Sequence, residues 1–121
     1  MILGIGTDIV ETERIKETIE KWDTHFIKKV FTEKEIKYCQ NKSNPIPHFA
    51  ARFAAKEAFY KALPQNRDYP LSWQHIEVIS DNGKPIIKFY SDREEHKSII
   101  VHLSLSHTEK SAMATVVIEK L

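Results

Sequence analysis

Cysteine is almost missing from this chain: Cys39 stands alone among 121 residues. One thiol closes no intrachain disulfide and builds no cysteine metal cage, so Cys39 reads as a small packing residue and the chain suits a reducing cytoplasm. No apolar run approaches the ~20 residues of a membrane span, and no signal-peptide pattern opens the sequence. Neither sign of charge is in excess; the formal net charge is +1. That excludes a strong overall field, and binding to nucleic acid or to a membrane would need a local patch that the sequence does not display. Linkers, repeats and low-complexity tracts are missing too. What is present is ordinary for a globular protein, 41% apolar and 29% charged, so disorder is not expected. The length suits one domain, residues 1–121, around one core.

Alanine is unevenly spread. Six of the eight alanines fall between Ala50 and Ala62, around Arg52-Phe-Ala-Ala-Lys-Glu-Ala-Phe-Tyr-Lys61. Alanine is the strongest helix former and lets a helix approach its neighbours closely. Phe53, Glu57 and Lys61 follow one another at helical spacing on one side, with Ala50 and Ala54 near the same line. Arg52 and Lys56 make a second charged stripe, and the arcs between are apolar. Charge set into an apolar cylinder predicts a central helix, from about His48 to Leu63, with Glu57 and Lys61 directed into a pocket. Alone, Glu57 and Lys61 also read as a plain i, i+4 ion pair.

The rest of the chain supplies partners for that helix. Ile2 to Ile9 reads as a buried strand holding two of the three glycines. Glycine weakens a strand, so Gly4 and Gly6 predict the close approach of another backbone or of a ligand on the side that also carries Asp8. Asp8 alternatively caps the next helix. Val10 to Trp22 has helical period, with Ile15, Ile19 and Trp22 inward and Arg14, Thr18 and Lys21 along an adjacent flank. A short second helix follows a cap at Asp23 or Thr24. Thr32-Glu-Lys-Glu35 matches a capping box that opens a third helix, through about Gln40. Lys28, Lys29, Lys34, Lys37 and Lys42 read as a solvated basic face. Asn41 to Pro47 is a loop, Pro64 ends the central helix, and Gln65 to Pro70 is irregular.

Beyond that point the period changes to two. Trp73 to Ser80 and Pro85 to Tyr90 form a hairpin across Asp81-Asn-Gly-Lys84. Ser91 to Ser98 is a short helix or turn, and Ile99 to His107 and Ser111 to Glu119 are the last strands. The order predicts an α+β domain, a mostly antiparallel sheet packed on one long central helix with further short helices.

Asp8 and Glu57 are the acids that the local pattern expects to be buried. Buried carboxylates are costly without a cation, and Mg²⁺ commonly takes one or two carboxylates together with waters and phosphate oxygens. Lys61, one turn beyond Glu57, is placed to meet the same phosphate, so the set suggests phosphoryl transfer. Ser104-Leu-Ser-His107-Thr108 puts two hydroxyls on one strand face. It has no Gly-x-Ser-x-Gly elbow and no acid partner, so a serine nucleophile is not expected and His107 by itself is a strand-end residue.

Together these blocks resemble a known family. Gly4-Ile-Gly-Thr-Asp8-Ile-Val-Glu11, Arg52-Phe-Ala-Ala-Lys-Glu57-Ala, Asn82-Gly-Lys-Pro85 and Ser104-Leu-Ser-His107-Thr occur in the order seen in holo-[acyl-carrier-protein] synthases, the small single-domain 4′-phosphopantetheinyl transferases. The resemblance implies that Asp8 and Glu57 ligate Mg²⁺ and that Glu57 and Lys61 are catalytic. It implies coenzyme A contacts from Arg52, Lys61, Gly83, Lys84, Pro85 and His107. The phosphopantetheine of coenzyme A would pass to a serine of apo acyl carrier protein, releasing adenosine 3′,5′-bisphosphate. Either Glu57 or a metal-bound water takes the serine proton. Arg14 and Lys21, with Lys28 and Lys29 nearby, are the docking surface expected for an acidic carrier protein. A homotrimer with sites at subunit interfaces is implied as well. The rival readings are a Mg²⁺-dependent coenzyme A phosphohydrolase and a silent binding module.

Overall fold

The computed structural model describes residues 1–64 and 71–121; the expected irregular stretch from Gln65 to Pro70 lies outside the described residues. In chain order the elements are β1 (Ile2–Glu11), α1 (Thr12–Trp22), α2 (Thr24–Val30), α3 (Glu33–Gln40), α4 (Pro45–Ala62), β2 (Ile76–Asp81), β3 (Lys84–Phe89), β4 (Ile99–His107) and β5 (Ser111–Lys120). Single 3₁₀ turns at Trp73–His75 and Glu94–His96 precede β2 and β4. The expected α+β architecture is present. β5 is the middle of an antiparallel sheet ordered β1-β5-β4, and β2 and β3 pair as a separate hairpin.

The core forms where α4 lies on β1 and β5. Ala54, Ala58 and Ala62 of the helix pack with Ala114, Val116 and Ile118 of the central strand, all at most 2% exposed. The glycines set the helix-to-sheet spacing: a Cβ on Gly4 would lie 1.8 Å from the Ala62 carbonyl oxygen, and one on Gly6 would lie 1.9 Å from that of Ala58. The close neighbour expected at this bare strip is therefore the backbone of α4. β4 lies on the far side of β5, and its Ile99, Val101, Leu103 and Leu105 face the same core, as their alternation predicts.

Several boundaries differ from the sequence reading for local reasons. β1 runs two residues further, because Val10 and Glu11 pair with Ala112 and Ser111. Asp8 therefore sits inside the strand and caps no helix; α1 begins at Thr12, whose hydroxyl donates to Glu109 O at 2.9 Å. α4 starts at Pro45, since proline in a first turn gives up no needed N–H. The Ser72 hydroxyl accepts from Gln74 N at 3.2 Å and winds Trp73–His75 into a 3₁₀ turn, which shortens the expected strand. Trp22, expected inward, is 54% exposed at the end of α1, with the Lys21 ammonium 5.4 Å from its ring centre. The Thr32–Glu35 capping box and the Asn82-Gly83 turn, with φ of 52° and 82°, stand as expected. No helix among the described residues is long and apolar enough to cross a membrane.

Candidate active site

Asp8 projects from the α4 side of β1, directly beyond the strip that Gly4 and Gly6 leave bare. Its Oδ1 accepts from the Lys61 ammonium at 2.9 Å, and that ammonium also donates to the Thr7 carbonyl at 3.1 Å. Lys61 thus pairs with Asp8 across the helix–strand contact instead of only lying along α4 beside Glu57. Its side chain is half exposed, whereas that of Asp8 is 15% exposed. Glu57 is half-buried one turn earlier. Burial raises its pKa and the Asp8 charge raises it further, against the opposing pull of Lys61.

Asp8 and Glu57 line one groove of about 420 Å³, together with Arg14, Thr18, Phe26 and Phe53. The first helix therefore brings its basic flank to the same opening as the two acids. Arg14 is on this groove; Lys21 is about two turns further along α1, against Trp22. Two hard oxygen donors that repel each other are a donor set that a small divalent cation relieves, and the residues fit Mg²⁺. Among the described residues no group of three or more His, Cys, Asp or Glu gathers, so such an ion would complete its shell from water and phosphate.

His107 and Arg52 are elsewhere. His107 ends β4 and lines a second groove, of about 560 Å³, with Ser43, Asn44, His48 and Thr108 at the start of α4. His48 and Lys61 are more than three turns apart on that helix, about 20 Å of rise. Arg52 is 5% exposed, stands 4.0 Å over the Tyr38 ring and reaches His48 O at 3.4 Å; its Nε is buried and finds no hydrogen-bond partner among the described residues. Lys42 lies 4.6 Å from the same ring centre. Burial first, then the charges of Arg52, Lys42 and His107, hold the His48 pKa down. This end of α4 thus sets Arg52 and Lys42 on the Tyr38 ring, beside a groove that His48, His107 and Glu109 line. The sequence reading missed His48 and Lys42 there; the i, i+4 spacing of His48 and Arg52 was the available signal.

The Gly83-Lys84-Pro85 turn lines neither groove among the described residues. It is an open β2–β3 turn, and a Cβ on Gly83 would meet nothing within 4 Å. Glycine is required there by its φ of 82°, not by crowding. Ser104 and Ser106 are exposed on the outer sheet face, opposite Thr115 and Met113.

The sequence reading also misplaced the buried charges. Glu35, Lys56 and Glu77 are 1%, 0% and 5% exposed, so they are buried more deeply than Asp8 or Glu57. The Lys56 ammonium holds Glu35 Oε1 at 2.7 Å, Val30 O at 2.7 Å and Trp73 O at 3.1 Å. Glu35 also accepts from Thr32 N and Val78 N. Glu77 accepts from Thr32 and Tyr90 hydroxyls. This network fastens α3 and β2 to α4 one residue before Glu57. Cys39 is fully buried, and burial pushes its thiol up to about 12, which suits a packing residue.

Comparison with known proteins gives these features a family. The family model described as 4′-phosphopantetheinyl transferase superfamily matches residues 4–117. A holo-[acyl-carrier-protein] synthase of Chloroherpeton thalassium is 45% identical over 118 residues, covering 97% of this chain and 98% of that one. The solved holo-[acyl-carrier-protein] synthase of Neisseria meningitidis superposes with a TM-score of 0.86 at 37% identity, over 99% of this chain and 100% of that one. The Bacillus anthracis enzyme, solved in complex with CoA (3′,5′-ADP), gives 0.83 at 36% identity, over 100% of this chain and 99% of that one. The chain belongs to the 4′-phosphopantetheinyl transferase superfamily, in its holo-[acyl-carrier-protein] synthase family.

Proposed function

We infer that this chain, acting as one cytoplasmic domain of residues 1–121, transfers 4′-phosphopantetheine from coenzyme A to a serine of apo acyl carrier protein. The observation that carries this reading is one groove shared by Asp8, Glu57 and Arg14, with Lys61 bound to Asp8 at its edge. Asp8 and Glu57 would hold Mg²⁺, which when bound supplies charge neutralisation to the pyrophosphate and to the departing nucleotide. The serine oxygen forms a bond to the β-phosphorus, the bond from that phosphorus to the bridging oxygen breaks, and adenosine 3′,5′-bisphosphate leaves. Lys61 presents a half-exposed ammonium to that charge. Glu57 has the raised proton affinity that suits a base for the serine proton.

Arg14 meets the acidic carrier protein at the mouth of the groove, with Lys21 further along the same flank. His107 would meet the nucleotide phosphates from its groove, with the buried Arg52 behind Tyr38 nearby, and Gly83, Lys84 and Pro85, which line neither groove, would reach the nucleotide only from another subunit. Within one chain, Lys61 and the His48–His107 pocket are too far apart to grip one compact group. That separation supports a site completed by a neighbouring subunit in a homotrimer. The outer face of the β1-β5-β4 sheet supports self-association as well, since it exposes Ile5, Ile9 and Met113 at 66%, 68% and 43%.

Intact-mass spectrometry of apo acyl carrier protein incubated with this protein, coenzyme A and Mg²⁺ tests the reading. The expected result is a gain of one phosphopantetheine that a chelator abolishes. Cleavage of coenzyme A without any gain on the carrier would identify a hydrolase instead.

A further inference from the structure

Glu57 stands between two spaces. Besides the groove with Asp8 and Arg14, it lines a half-open pocket between the middle of α4 and the 3₁₀ turn before β2, with Tyr60, Leu71, Trp73 and Ile76. Phe53, one turn before Glu57, borders the groove, and Trp73 borders the pocket. Their rings stack at 5.3 Å and 24°, so the pair is a partition with Glu57 at its edge. We propose that Trp73 is a positioning residue that keeps the Glu57 carboxylate on the Asp8 side of this partition; the inference rests on the phosphopantetheinyl-transfer reading, in which those two acids hold Mg²⁺.

Glu57 needs such a restraint. Asp8 is held by the Lys61 ammonium at 2.9 Å, whereas no hydrogen bond fixes the Glu57 carboxylate among the described residues. The Asp8 charge repels that carboxylate, and a glutamate side chain turns about several bonds. Without a wall it would swing away from Asp8, into the pocket and its water. Nothing in the pocket offers it a partner, because the Lys56 ammonium is already taken up by Glu35, Val30 O and Trp73 O. Repulsion therefore works against packing alone, and the Phe53–Trp73 stack supplies the packing.

Trp73 is itself fastened from several sides. Its carbonyl accepts from the Lys56 ammonium at 3.1 Å, which ties the 3₁₀ turn to the residue preceding Glu57. The Ser72 hydroxyl caps the turn by accepting from Gln74 N at 3.2 Å. The Gln74 side-chain amide donates to Lys28 O at 2.9 Å and to Phe31 O at 2.8 Å, binding the turn to the end of α2. On the groove side the Phe53 ring meets that of Phe26 at 6.2 Å, so Phe53 is held between two aromatic neighbours. A metal-ligating carboxylate depends on outer groups of this kind to fix its orientation.

The test uses the full chain and a readout independent of turnover, calorimetric titration with Mg²⁺ alone. Trp73→Ala should weaken Mg²⁺ binding about tenfold, and Trp73→Phe, which keeps a stacking ring, should stay within about threefold of the native chain. Trp73→Leu, which fills more of the space without a ring, should act in the direction of Trp73→Ala should the alanine variant fold poorly. Transfer to apo carrier protein runs beside the titrations: in Trp73→Ala, kcat should fall about tenfold with the carrier KM unchanged. In a Glu57→Gln background, Trp73→Ala should leave the residual transfer within about twofold, because its effect passes through the carboxylate. Native-like Mg²⁺ binding by folded Trp73→Ala, an equal loss in the Glu57→Gln background, or a native chain that binds no Mg²⁺ would overturn the proposal. A native chain that binds Mg²⁺ and transfers nothing would defeat the reaction assignment instead, and the Mg²⁺ titrations would still decide the role of Trp73.

Discussion

Gly6 lies so close to Ala58 that a single added methyl would stand 1.9 Å from the Ala58 carbonyl oxygen. That contact brings β1 against α4 and so determines where Asp8 stands relative to Glu57 and Lys61. Two acids almost fifty residues apart in sequence, the proposed metal ligands, become neighbours because one strand is bare enough for a helix to lie on it. Gly6→Ala has no flexible side chain to push aside, only backbone. A loss at or above the ~3 kcal/mol upper end of ordinary overpacking is expected. Thermal unfolding should show it as a fall of roughly 10 °C or more. An unaltered melting temperature would mean that the helix does not rest on the strand as described.

Glu57 links stability and activity with opposite signs. Burial and Asp8 raise its pKa, so the folded chain holds the Glu57 proton more tightly than the unfolded chain does. The stability this contributes is present below the unfolded carboxylate pKa and is lost as pH rises through the folded value. At neutral pH, Glu57→Gln should therefore melt higher than the native chain while transfer falls at least about a hundredfold. Added Mg²⁺ should raise the native melting temperature and leave that of Glu57→Gln nearly unchanged. A variant that loses stability, or that keeps transferring, contradicts the assignment of this carboxylate.

Asp8→Asn would remove one of the two proposed metal donors and weaken the partner of Lys61 together. Transfer should fall by at least about a hundredfold with the circular-dichroism spectrum retained. Calorimetry with Mg²⁺ and adenosine 3′,5′-bisphosphate separates lost metal binding from lost nucleotide binding.

Arg14 lines the groove without touching the core, so its charge can be reversed with little structural cost. Arg14→Glu should raise the carrier-protein KM about tenfold and flatten its salt dependence, with coenzyme A affinity unchanged. Steady-state kinetics at two ionic strengths decide this. An unchanged carrier KM removes the first helix from the docking surface.

Lys56 and Glu35 form the deepest ion pair among the described residues. Lys56→Met strands the Glu35 carboxylate in the core, at a cost of about 3–5 kcal/mol. Combining it with Glu35→Gln should recover part of that loss in denaturant unfolding, because no unpaired charge then remains. Additive losses would show that the two side chains are not coupled.

Features settled within a few residues of chain were legible in the sequence. The capping box at Thr32–Glu35, the Asn82-Gly83 turn, the alternation of β4 and the alanine stretch of α4 depend on local propensity and period, and each appears where expected. The glycine strip also announced a close approach, because a strand tolerates glycine poorly without one. Asp8, Glu57 and Lys61 were singled out through their spacing and their family blocks. Their pairing was not: Lys61 reaches across to β1, a contact that helical geometry along α4 does not reveal.

What tertiary structure alone decided is which charges went inside. Lys56 and Arg52 read as one charged stripe, yet packing against α3 and the 3₁₀ turn buries both. The stability of Lys56 depends on Glu35, Val30 and Trp73 arriving from three separate segments. His107 and Lys61, which the family blocks grouped as contacts of one ligand, are parted by the length of α4. Desolvation and long-range contact are properties of the assembled fold, and no window of sequence carries them. The sequence by itself determined the elements, the family and the candidate acids; the packing of α4 on β1 decided how those acids meet, what stands behind them, and how far one chain alone reaches.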